Sequence, residues 1–349
     1  MTTAQLAIFK APGAPFEFVE RPLPTCGERQ ALVAISLATI CGSDLHTTEG
    51  RRQEPTPCVL GHEAVGRVVS IGPGGDPSLL GQRVTWTLAD SCGECVPCRA
   101  WHLPQKCEHL FKYGHAPLDD GTGFNGCYAS HLLLRRGTTI IPIPDVLPDD
   151  LVAPANCALA TMVNATESLP EPCRVAVIQG AGILGLYGCA LLHAAGLERV
   201  IVVDNNPHRL TLVQAFGGEP ALDSAANLAP AGRVDAVFEV AGTSDVVPEG
   251  MRLLRPGGFY AFVGMVHPST LLALTGETVV RRCLTVRGFH NYAPRHLARA
   301  IGFLRAHHAA YPWRSLVCGS LPLGQLAAAF ELARAQRWPR VAVRPVAVP

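Results

Sequence analysis

A glycine-rich turn in the second half of the chain constrains the fold more than any other feature. The segment "RVAVIQGAGILGLYG" places Gly180, Gly182 and Gly185 in the spacing G-x-G-x-x-G, directly after a strand-like run and at the start of a helix-like run. In a dinucleotide-binding fold the first glycine allows the tight turn, the second lets a pyrophosphate approach the backbone, and the third permits close helix packing. The alternative is a glycine-rich turn in an unrelated α/β fold.

The sequence around this turn alternates between strand-like and helix-like runs. Apolar strands such as "RVIVVD" and "VDAVFEVAG" are separated by helical segments between residues 174 and 289, which is typical of a doubly wound parallel sheet. The second strand ends in Asp204, where a carboxylate can accept hydrogen bonds from both ribose hydroxyls and would repel a 2′-phosphate. We therefore expect NAD rather than NADP, with Arg209 flanking the adenine. A surface aspartate at a strand end is the alternative for Asp204.

The length of 349 residues predicts two domains. Residues 1 to about 155 contain short β-branched runs separated by Gly/Pro turns, a pattern of many short strands. A helix-like stretch follows around residues 146–170, and the last part of the chain gives helices and short strands that could return to the first domain. We predict a β-rich domain from residues 1–157 and 296–349, and a dinucleotide-binding domain from residues 158–295.

Composition excludes several classes of function. The formal net charge of +1 creates no field strong enough to indicate nucleic acid or an anionic membrane as partner. No secretory signal pattern and no long apolar run is present in the sequence. We therefore expect a soluble, cytoplasmic protein that binds neither nucleic acid nor membrane. The 13 cysteines are then better interpreted as thiols and thiolate ligands than as disulfides.

Cysteine and histidine residues cluster in the first half of the chain. Four cysteines fall within "SCGECVPCRAWHLPQKC", and the segments "CGSDLH" (41–46) and "GHE" (61–63) place a thiolate and an imidazole after two strand-like runs. A single residue of this kind is usually a buried core residue. Both segments together, ahead of a dinucleotide fold, indicate a metal site.

These motifs resemble the zinc-containing alcohol dehydrogenases of the medium-chain dehydrogenase/reductase superfamily. The resemblance covers essentially the whole chain, from "CGSDLH" and "LGHEAVGRVV" through the four-cysteine segment and the glycine turn to the final "RVAV". It implies an α/β protein with a GroES-like β-rich catalytic domain and a Rossmann domain, an active site in the cleft between them, and a homodimer or homotetramer. A small-molecule alcohol or carbonyl compound would be the substrate.

The resemblance also implies a catalytic zinc held by Cys41, His62 and Cys157. Three protein ligands leave a fourth position open, where an alcohol oxygen can bind and lose its proton near neutral pH. Glu63 would be a nearby carboxylate or a transient ligand, and Asp44 would be the partner of the non-ligating nitrogen of His62.

Further roles are implied for four residues around the cofactor. Ser43 and His46 would carry the alcohol proton through the cofactor ribose to solvent. Thr161 would pack beside the nicotinamide, and Arg340 would face the cofactor pyrophosphate. Simple turn or helix hydroxyls are the alternative for Ser43 and Thr161.

The four-cysteine segment matches the lobe that holds a structural zinc in this family. Cys92, Cys95, Cys98 and Cys107 would close a tetrahedral site that has no open position and does no chemistry. The family spacing usually has seven residues before the last cysteine, whereas this chain has eight. A loop can absorb one residue, so we expect a second zinc, with reduced, metal-free thiols as the alternative.

Some segments resemble a narrower group, the alcohol dehydrogenases associated with phosphonate metabolism. They are "CGSDLHTTEGRR", "LPQKCEHLFKYGH" and "APANCALAT". A phosphonate substrate would need a basic anchor near the zinc, for which Arg51, Arg52 and Lys112, with His115, are suitable. If these residues are solvated loop charges, a neutral secondary alcohol or a polyol is the expected substrate.

Two other classes of protein fit this sequence less well. A zinc-free reductase of the same superfamily would lack Cys41, His62 and Cys157, which are all present. A non-enzymatic NAD- or zinc-binding regulatory protein would have no reason to retain Ser43 and His46 beside a metal site. Zinc content and turnover would exclude this second class.

Overall fold

The computed structural model describes residues 3–120, 122–266, 271–272 and 274–345. By its internal contacts the chain divides into two compact units. Unit 1 comprises Met1–Cys157, Ala293–His308 and Trp313–Pro349, and unit 2 comprises Ala158–Tyr292 and Ala309–Pro312. The polypeptide therefore leaves unit 1 after Cys157 and returns to it at Ala293.

The first part of unit 1 is made mainly of short strands. Its strands are β1 (Thr3–Phe9), β2 (Glu17–Pro22), β3 (Ala31–Thr39), β4 (Cys58–Val59), β5 (Glu63–Ile71), β6 (Arg83–Trp86), β7 (Ala89–Asp90), β8 (Phe111–Lys112), β9 (His131–Leu134) and β10 (Ile140–Pro142). Its helices are the short α1 (Gly42–Thr48), α2 (Val96–Arg99) and α3 (Asp149–Val152). A 3-10 turn at Ala153–Asn156 leads to the end of this part.

Unit 2 alternates helices and strands as the sequence predicts. Its elements are α4 (Ala158–Thr166), β11 (Val175–Gln179), α5 (Ile183–Ala194), β12 (Arg199–Asp204), α6 (Pro207–Leu210), β13 (Glu219–Leu222), β14 (Val234–Glu239), α7 (Val247–Leu253), β15 (Leu254–Phe262), α8 (Gly276–Arg281) and β16 (Thr285–Gly288). The strands form a six-stranded parallel sheet in the order β13-β12-β11-β14-β15-β16. The predicted doubly wound parallel sheet is confirmed.

The chain then completes unit 1 with α9 (Pro294–His307), β17 (Val317–Pro322), α10 (Leu326–Arg334) and β18 (Arg340–Arg344). Strand β18 pairs antiparallel with β3, so the last strand joins the main sheet of the first part, ordered β10-β6-β5-β3-β18-β17 with β9 also on β3. A smaller sheet has the order β2-β1-β4, and β7 and β8 form a two-stranded ribbon.

Each unit has a core of its own. In unit 1, apolar side chains from alternate positions of β3 and β5, such as Val33 and Val68, pack with Trp86 and Phe330. In unit 2, the central strands are apolar on both faces, as expected for a parallel sheet covered by helices. These cores rigidly position the residues at the strand ends, where the functional side chains lie.

Candidate metal centre and dinucleotide site

Strand register brings the first three potential metal ligands together. Strands β3 and β5 pair antiparallel with Thr39 opposite Glu63, so Cys41, two residues after Thr39, lies near His62 and Glu63. Cys157 joins them from the junction between the 3-10 turn and α4. One ligand atom from each of the four residues lies within 4.8 Å of all the others.

Gly61 illustrates how the local sequence sets this geometry. Its φ of +90° lies in the left-handed region, and a Cβ at this position would meet the Tyr128 ring at 2.9 Å. Only glycine fits directly before His62. In the "GHE" sequence, Gly61 therefore meets a backbone requirement and His62 supplies a potential metal ligand.

The donor types suit zinc. Two thiolates and an imidazole are soft and borderline ligands that zinc prefers, with zinc–sulfur and zinc–nitrogen distances of about 2.3 and 2.0 Å. Ligand atoms within 4.8 Å of one another need only small movements to surround such an ion. Cys41 and His62 are almost fully buried, so a bound ion here would be shielded from bulk water.

Arg340 holds the carboxylate of Glu63. Its Nε donates to Oε2 at 2.7 Å, its Nη2 donates to Oε1 at 2.8 Å, and Nη2 also lies 3.4 Å from the Cys41 sulfur. Thr39 donates its hydroxyl to the same carboxylate at 2.7 Å. The structure thus places Arg340 beside the potential metal ligands. Its contact with the cofactor pyrophosphate stays a prediction.

The charges in this group shift one another's pKa values. Hydrogen bonding with Cys157 and the charge of Arg340 lower the pKa of Cys41 well below its usual range, against the effect of burial. Burial raises the pKa of Glu63 to about 7, although Arg340 opposes this. Cys41 is thus favoured as a thiolate, whereas the hydrogen bond with Cys41 and burial raise the pKa of Cys157.

Asp44 lies beside His62, as the sequence predicts. Its Oδ2 accepts hydrogen bonds from the Cys41 N–H and the Tyr128 hydroxyl, both at 2.9 Å. Its Oδ1 lies 3.8 Å from His62 Nδ1, and both of these buried atoms lack a hydrogen-bond partner. A movement of less than 1 Å would bring them into hydrogen-bond distance. Tyr128, which sequence analysis missed, fixes Asp44 from the opposite side of the carboxylate.

The two predicted relay residues lie on α1. Ser43 and His46 are three positions apart and therefore share a face of this helix. Both are half-buried. Their roles in proton transfer stay a prediction.

Asn156, the residue before Cys157, connects the segments that carry the ligands. Its fully buried side-chain amide donates to the backbone carbonyls of His62 at 3.0 Å and Trp86 at 3.1 Å. Sequence analysis missed this residue. A polar amide inside the apolar stretch "LVAPANCALA" is the signal that could have indicated it.

The four-cysteine segment forms a second group of metal-ligand type. The Cys95 sulfur lies 3.4 Å from that of Cys98 and 3.8 Å from that of Cys107, and the Cys107 and Cys92 sulfurs are 3.5 Å apart. Tetrahedral zinc with four sulfurs at about 2.3 Å places them about 3.8 Å apart. The eight-residue spacing before Cys107 therefore does not prevent the four sulfurs from converging.

Backbone N–H groups surround these sulfurs. Cys92 accepts from the N–H groups of Glu94 and Cys95, both at 3.4 Å, and Cys107 accepts from that of His109 at 3.3 Å. The hydrogen bonds from Glu94 and Cys95 lower the pKa of Cys92 to about 6. Cys92 is thus favoured as a thiolate, whereas burial raises the pKa of Cys98 to about 12 and also raises the pKa of Cys107.

The predicted substrate anchors separate into two groups. Arg51 is exposed and pairs with Glu49, so it is not a free anchor. Arg52 donates to Glu54 at 2.5 Å, and the same carboxylate accepts from His115 Nδ1 at 2.9 Å. Glu54, which sequence analysis missed, therefore engages one predicted cation and the neighbouring histidine.

Lys112 differs from these residues. Burial, with the positive charges of Arg52 and Lys106, lowers the pKa of Lys112 to about 8. The negative charges of Glu54 and Cys157 oppose this decrease. Within the described part of the chain, the side chain of Lys112 forms no hydrogen bond and no ion pair. It is a partly desolvated cation that pairs directly with no carboxylate, although the charge of Glu54 acts on it.

In unit 2, the glycine turn has the geometry that dinucleotide binding requires. Gly180 has φ of +120°, and a Cβ on Gly185 would meet the Gly180 carbonyl oxygen at 1.9 Å. A Cβ on Gly182 would meet nothing within 4 Å, so open space lies in front of this backbone at the start of α5. The backbone thus turns tightly at Gly180, is open to a ligand at Gly182 and packs closely at Gly185, as the spacing predicts.

Asp204 ends β12 next to this turn. Its carboxylate accepts from the N–H groups of Ala181 at 2.7 Å and Asn206 at 2.8 Å, and Arg209 lies 3.6 Å from it. Thr161 is half-buried on α4. The roles of Asp204, Arg209 and Thr161 toward a cofactor stay predictions. Among the described residues, every helix is too short or too polar to traverse a bilayer.

Both parts of the chain are similar to known protein families. The model of the alcohol dehydrogenase GroES-like domain matches residues 27–145, and the model of the zinc-binding dehydrogenase matches residues 184–306. An L-threonine 3-dehydrogenase of Chelativorans sp. is 28% identical over 306 residues, which cover 83% of this chain and 85% of the relative. A 5-exo-hydroxycamphor dehydrogenase of Pseudomonas putida is 26% identical over 334 residues, covering 87% and 89%.

A solved structure extends the similarity to the whole fold. An alcohol dehydrogenase from Thermotoga maritima has a TM-score of 0.89 and 28% identity to this chain, covering 98% of this chain and 99% of the other. The predicted GroES-like and Rossmann fold class is thereby confirmed. The chain is an oxidoreductase that belongs to the zinc-type medium-chain dehydrogenase/reductase superfamily.

Proposed function

We propose that this protein is a zinc-dependent, NAD-linked alcohol dehydrogenase whose substrates carry an anionic group. The observation that carries the reaction type is the convergence of Cys41, His62 and Cys157, with Glu63 retained by Arg340. Three ligands of these types are those of a catalytic zinc, which keeps one position for substrate. When bound, zinc acts as a Lewis acid that favours loss of the alcohol proton.

The side chains around the ligands have separate tasks. Asp44, fixed by Tyr128, orients the His62 ring and selects the tautomer that leaves the other nitrogen for metal. Arg340 neutralises Glu63 and keeps this carboxylate from competing as a permanent fourth ligand. The Ser43 hydroxyl would accept the alcohol proton while it releases its own toward His46, which would exchange it with solvent. Export of the proton then needs no bulk water at the reacting carbon.

We infer a second zinc at Cys92, Cys95, Cys98 and Cys107, with a structural role. All four ligand positions would be occupied by sulfur, so no site remains for substrate. The protein would therefore bind two zinc ions per chain. Zinc analysis of the purified protein measures this number directly.

For the cofactor, Asp204 is the residue that favours NAD. Its carboxylate ends β12 beside the glycine turn, where the negative charge would oppose a 2′-phosphate. Thr161 and Arg209 would contact the nicotinamide and the adenine, and Arg340 the pyrophosphate. By resemblance to its family the protein would be a cytoplasmic homodimer or homotetramer.

The anionic substrate is proposed on the basis of Lys112. An ammonium that forms no ion pair and has lost part of its hydration gains more from an anion than a solvated lysine does. Arg52 lies near it but is already paired with Glu54, and Arg51 is paired with Glu49. Hydroxyalkylphosphonates, the substrates implied by the narrower resemblance, present such an anion beside an alcohol.

The test compares NAD reduction with hydroxyalkylphosphonates and with the same alcohols lacking the phosphonate. We expect kcat/KM to be higher by about tenfold or more for the phosphonates, equivalent to about 1.4 kcal/mol of transition-state binding. Lys112→Met should remove this preference, whereas Lys10→Met, at an exposed lysine paired with Glu17, should retain it. Equal rates would eliminate the anion site and favour a neutral secondary alcohol or a polyol.

The preference should also depend on pH in a defined direction. Below about pH 8 Lys112 carries its proton and attracts the anion, and above this pH it becomes neutral. The KM of an anionic substrate should therefore rise as the pH passes 8. The KM of the same alcohol without the anionic group should not change in this way. A hydroxyalkylsulfonate is the suitable probe because its own charge is constant over this range. A KM ratio independent of pH would contradict the role of Lys112.

A further inference from the structure

Strand β14 carries a carboxylate near each of its ends. Asp235 lies near the amino end and accepts from the N–H groups of Arg174 and Val175, both at 2.9 Å, and from Arg255 Nε at 2.5 Å. Glu239 lies at the carboxyl end and is fully buried. The first carboxylate is thus neutralised by an arginine, which leaves the second to be explained.

Glu239 is bonded to backbone rather than to a cation. Its Oε1 accepts from the Gly242 N–H at 2.5 Å, and its Oε2 accepts from the Met265 N–H at 3.1 Å. It forms no ion pair within the described part of the chain. Burial raises its pKa, and these backbone N–H groups oppose the increase. A buried carboxylate without a counterion is costly, so its retention indicates a task.

The carboxylate of Glu239 connects two turns of unit 2. Gly242 belongs to the turn after β14, and Met265 to the turn after β15. The turns also touch each other, since a Cβ on Gly264 would meet the Gly242 nitrogen at 2.7 Å. The two oxygens of one side chain therefore set the position of both turns at the carboxyl edge of the parallel sheet.

The position of these turns in the sheet identifies what they face. The strand order reverses between β11 and β14, and a dinucleotide crosses a doubly wound sheet at this reversal. The half containing β11 and β12 carries the glycine turn and Asp204, and so takes the adenosine part. The turns held by Glu239 belong to the other half, which takes the nicotinamide part.

We propose that Glu239 is a positioning residue that fixes the two backbone turns binding the nicotinamide half of the cofactor. This inference rests on the proposed dinucleotide binding of unit 2. It assigns a role to a carboxylate whose hydrogen bonds go to the turns after β14 and β15. It also predicts that substitution of Glu239 weakens binding of the nicotinamide half of the cofactor and leaves binding of the adenosine half nearly unchanged.

The test measures dissociation constants of NADH and of AMP, which contains only the adenosine half, for wild type and Glu239→Gln. Glutamine retains the shape but presents an N–H group to one of the backbone donors. We expect NADH binding to weaken by about tenfold, the effect of losing a hydrogen bond to a charged group, and AMP binding to change by less than about twofold. Asp235→Asn, at the other end of the same strand, should leave both constants unchanged.

Gly242→Ala provides a second variant that alters the same turn and leaves Glu239 intact. Its φ of +77° disfavours alanine, so it should produce the same selective loss of NADH. Equal weakening of NADH and AMP, or no change in either, by both variants would overturn the positioning role. If wild type binds neither compound, dinucleotide binding itself is wrong. Thermal unfolding of each variant identifies any loss caused by misfolding.

Discussion

The two cysteine-containing groups of unit 1 are built in opposite ways. The four-cysteine lobe takes all its ligands from residues 92–107, and three of the four cysteines are only partly buried. The other group collects Cys41, His62 and Cys157 from separate segments, around a buried Glu63 and Arg340 pair. Backbone N–H groups surround the sulfurs of the lobe, whereas charged side chains surround those of the second group. The arrangement of the lobe suits stabilising a loop, and that of the second group suits a catalytic metal.

The two groups also differ in the interactions that hold their ligands in place. The second group is set by the register of β3 and β5 and by a core that does not depend on metal. The lobe lies between the two short strands β7 and β8, which pair with each other at its ends. Metal removal should therefore leave the ligand geometry of the second group nearly intact but loosen the lobe. Substitution of one cysteine in each group tests this difference.

The largest effect is expected for Cys157→Ala. Loss of a ligand should remove catalytic zinc and lower kcat by about 10³-fold or more, because a Lewis acid contributes several kcal/mol to such a reaction. One zinc per chain should remain, and the unfolding temperature should change little because the segment is held by Asn156 and the core. Kinetics, zinc content and thermal unfolding measure the three quantities. Cys26→Ala, a buried cysteine outside both groups, is the control. Unchanged turnover would refute the assignment of the catalytic metal.

Cys98→Ala should show the reverse pattern. It also removes one zinc, but the loss should appear as a fall in unfolding temperature of about 5 °C or more, equivalent to about 2 kcal/mol. The kcat of the folded protein toward neutral alcohols should remain within about tenfold of wild type. Because Lys112 lies on β8, at the end of the lobe, preference for anionic substrates should decrease as well. A protein of wild-type stability without this zinc would show that the lobe does not need it.

The contrast between local and distant construction also explains what the sequence could predict. The roles of Gly180, Gly182 and Gly185 depend on neighbouring backbone, so spacing alone predicted their geometry. The convergence of the four lobe cysteines likewise follows from nearby residues. Arg340 is 277 positions from Glu63, and only the pairing of β18 with β3 brings them together. No local pattern could indicate that contact, and resemblance indicated a different one.

The sequence also did not show which basic residues are paired with carboxylates. Arg51, Arg52 and Lys112 looked equivalent as basic anchors, but two of them pair with glutamates and one does not. A sequence shows that a cation exists, and only the fold shows which carboxylate it meets. Glu54, Asn156 and Tyr128 were missed for the same reason, since each acts on a partner far along the chain.

The smallest effect is expected for Asn156→Ala, which tests whether the second group is preformed by its surroundings. Its two hydrogen bonds fix the His62 and Trp86 carbonyls relative to Cys157, so their loss should weaken zinc binding there by about 10- to 100-fold. Cobalt substitution provides a spectroscopic readout, because the sulfur-to-cobalt charge-transfer band reports the ligand geometry. Asn125→Ala, at an equally buried amide that donates to the Pro117 carbonyl at 2.7 Å, is the matched control for general destabilisation. If both variants bind zinc like wild type, the register of β3 and β5 is sufficient to place the ligands, and the side chain of Asn156 contributes only to stability.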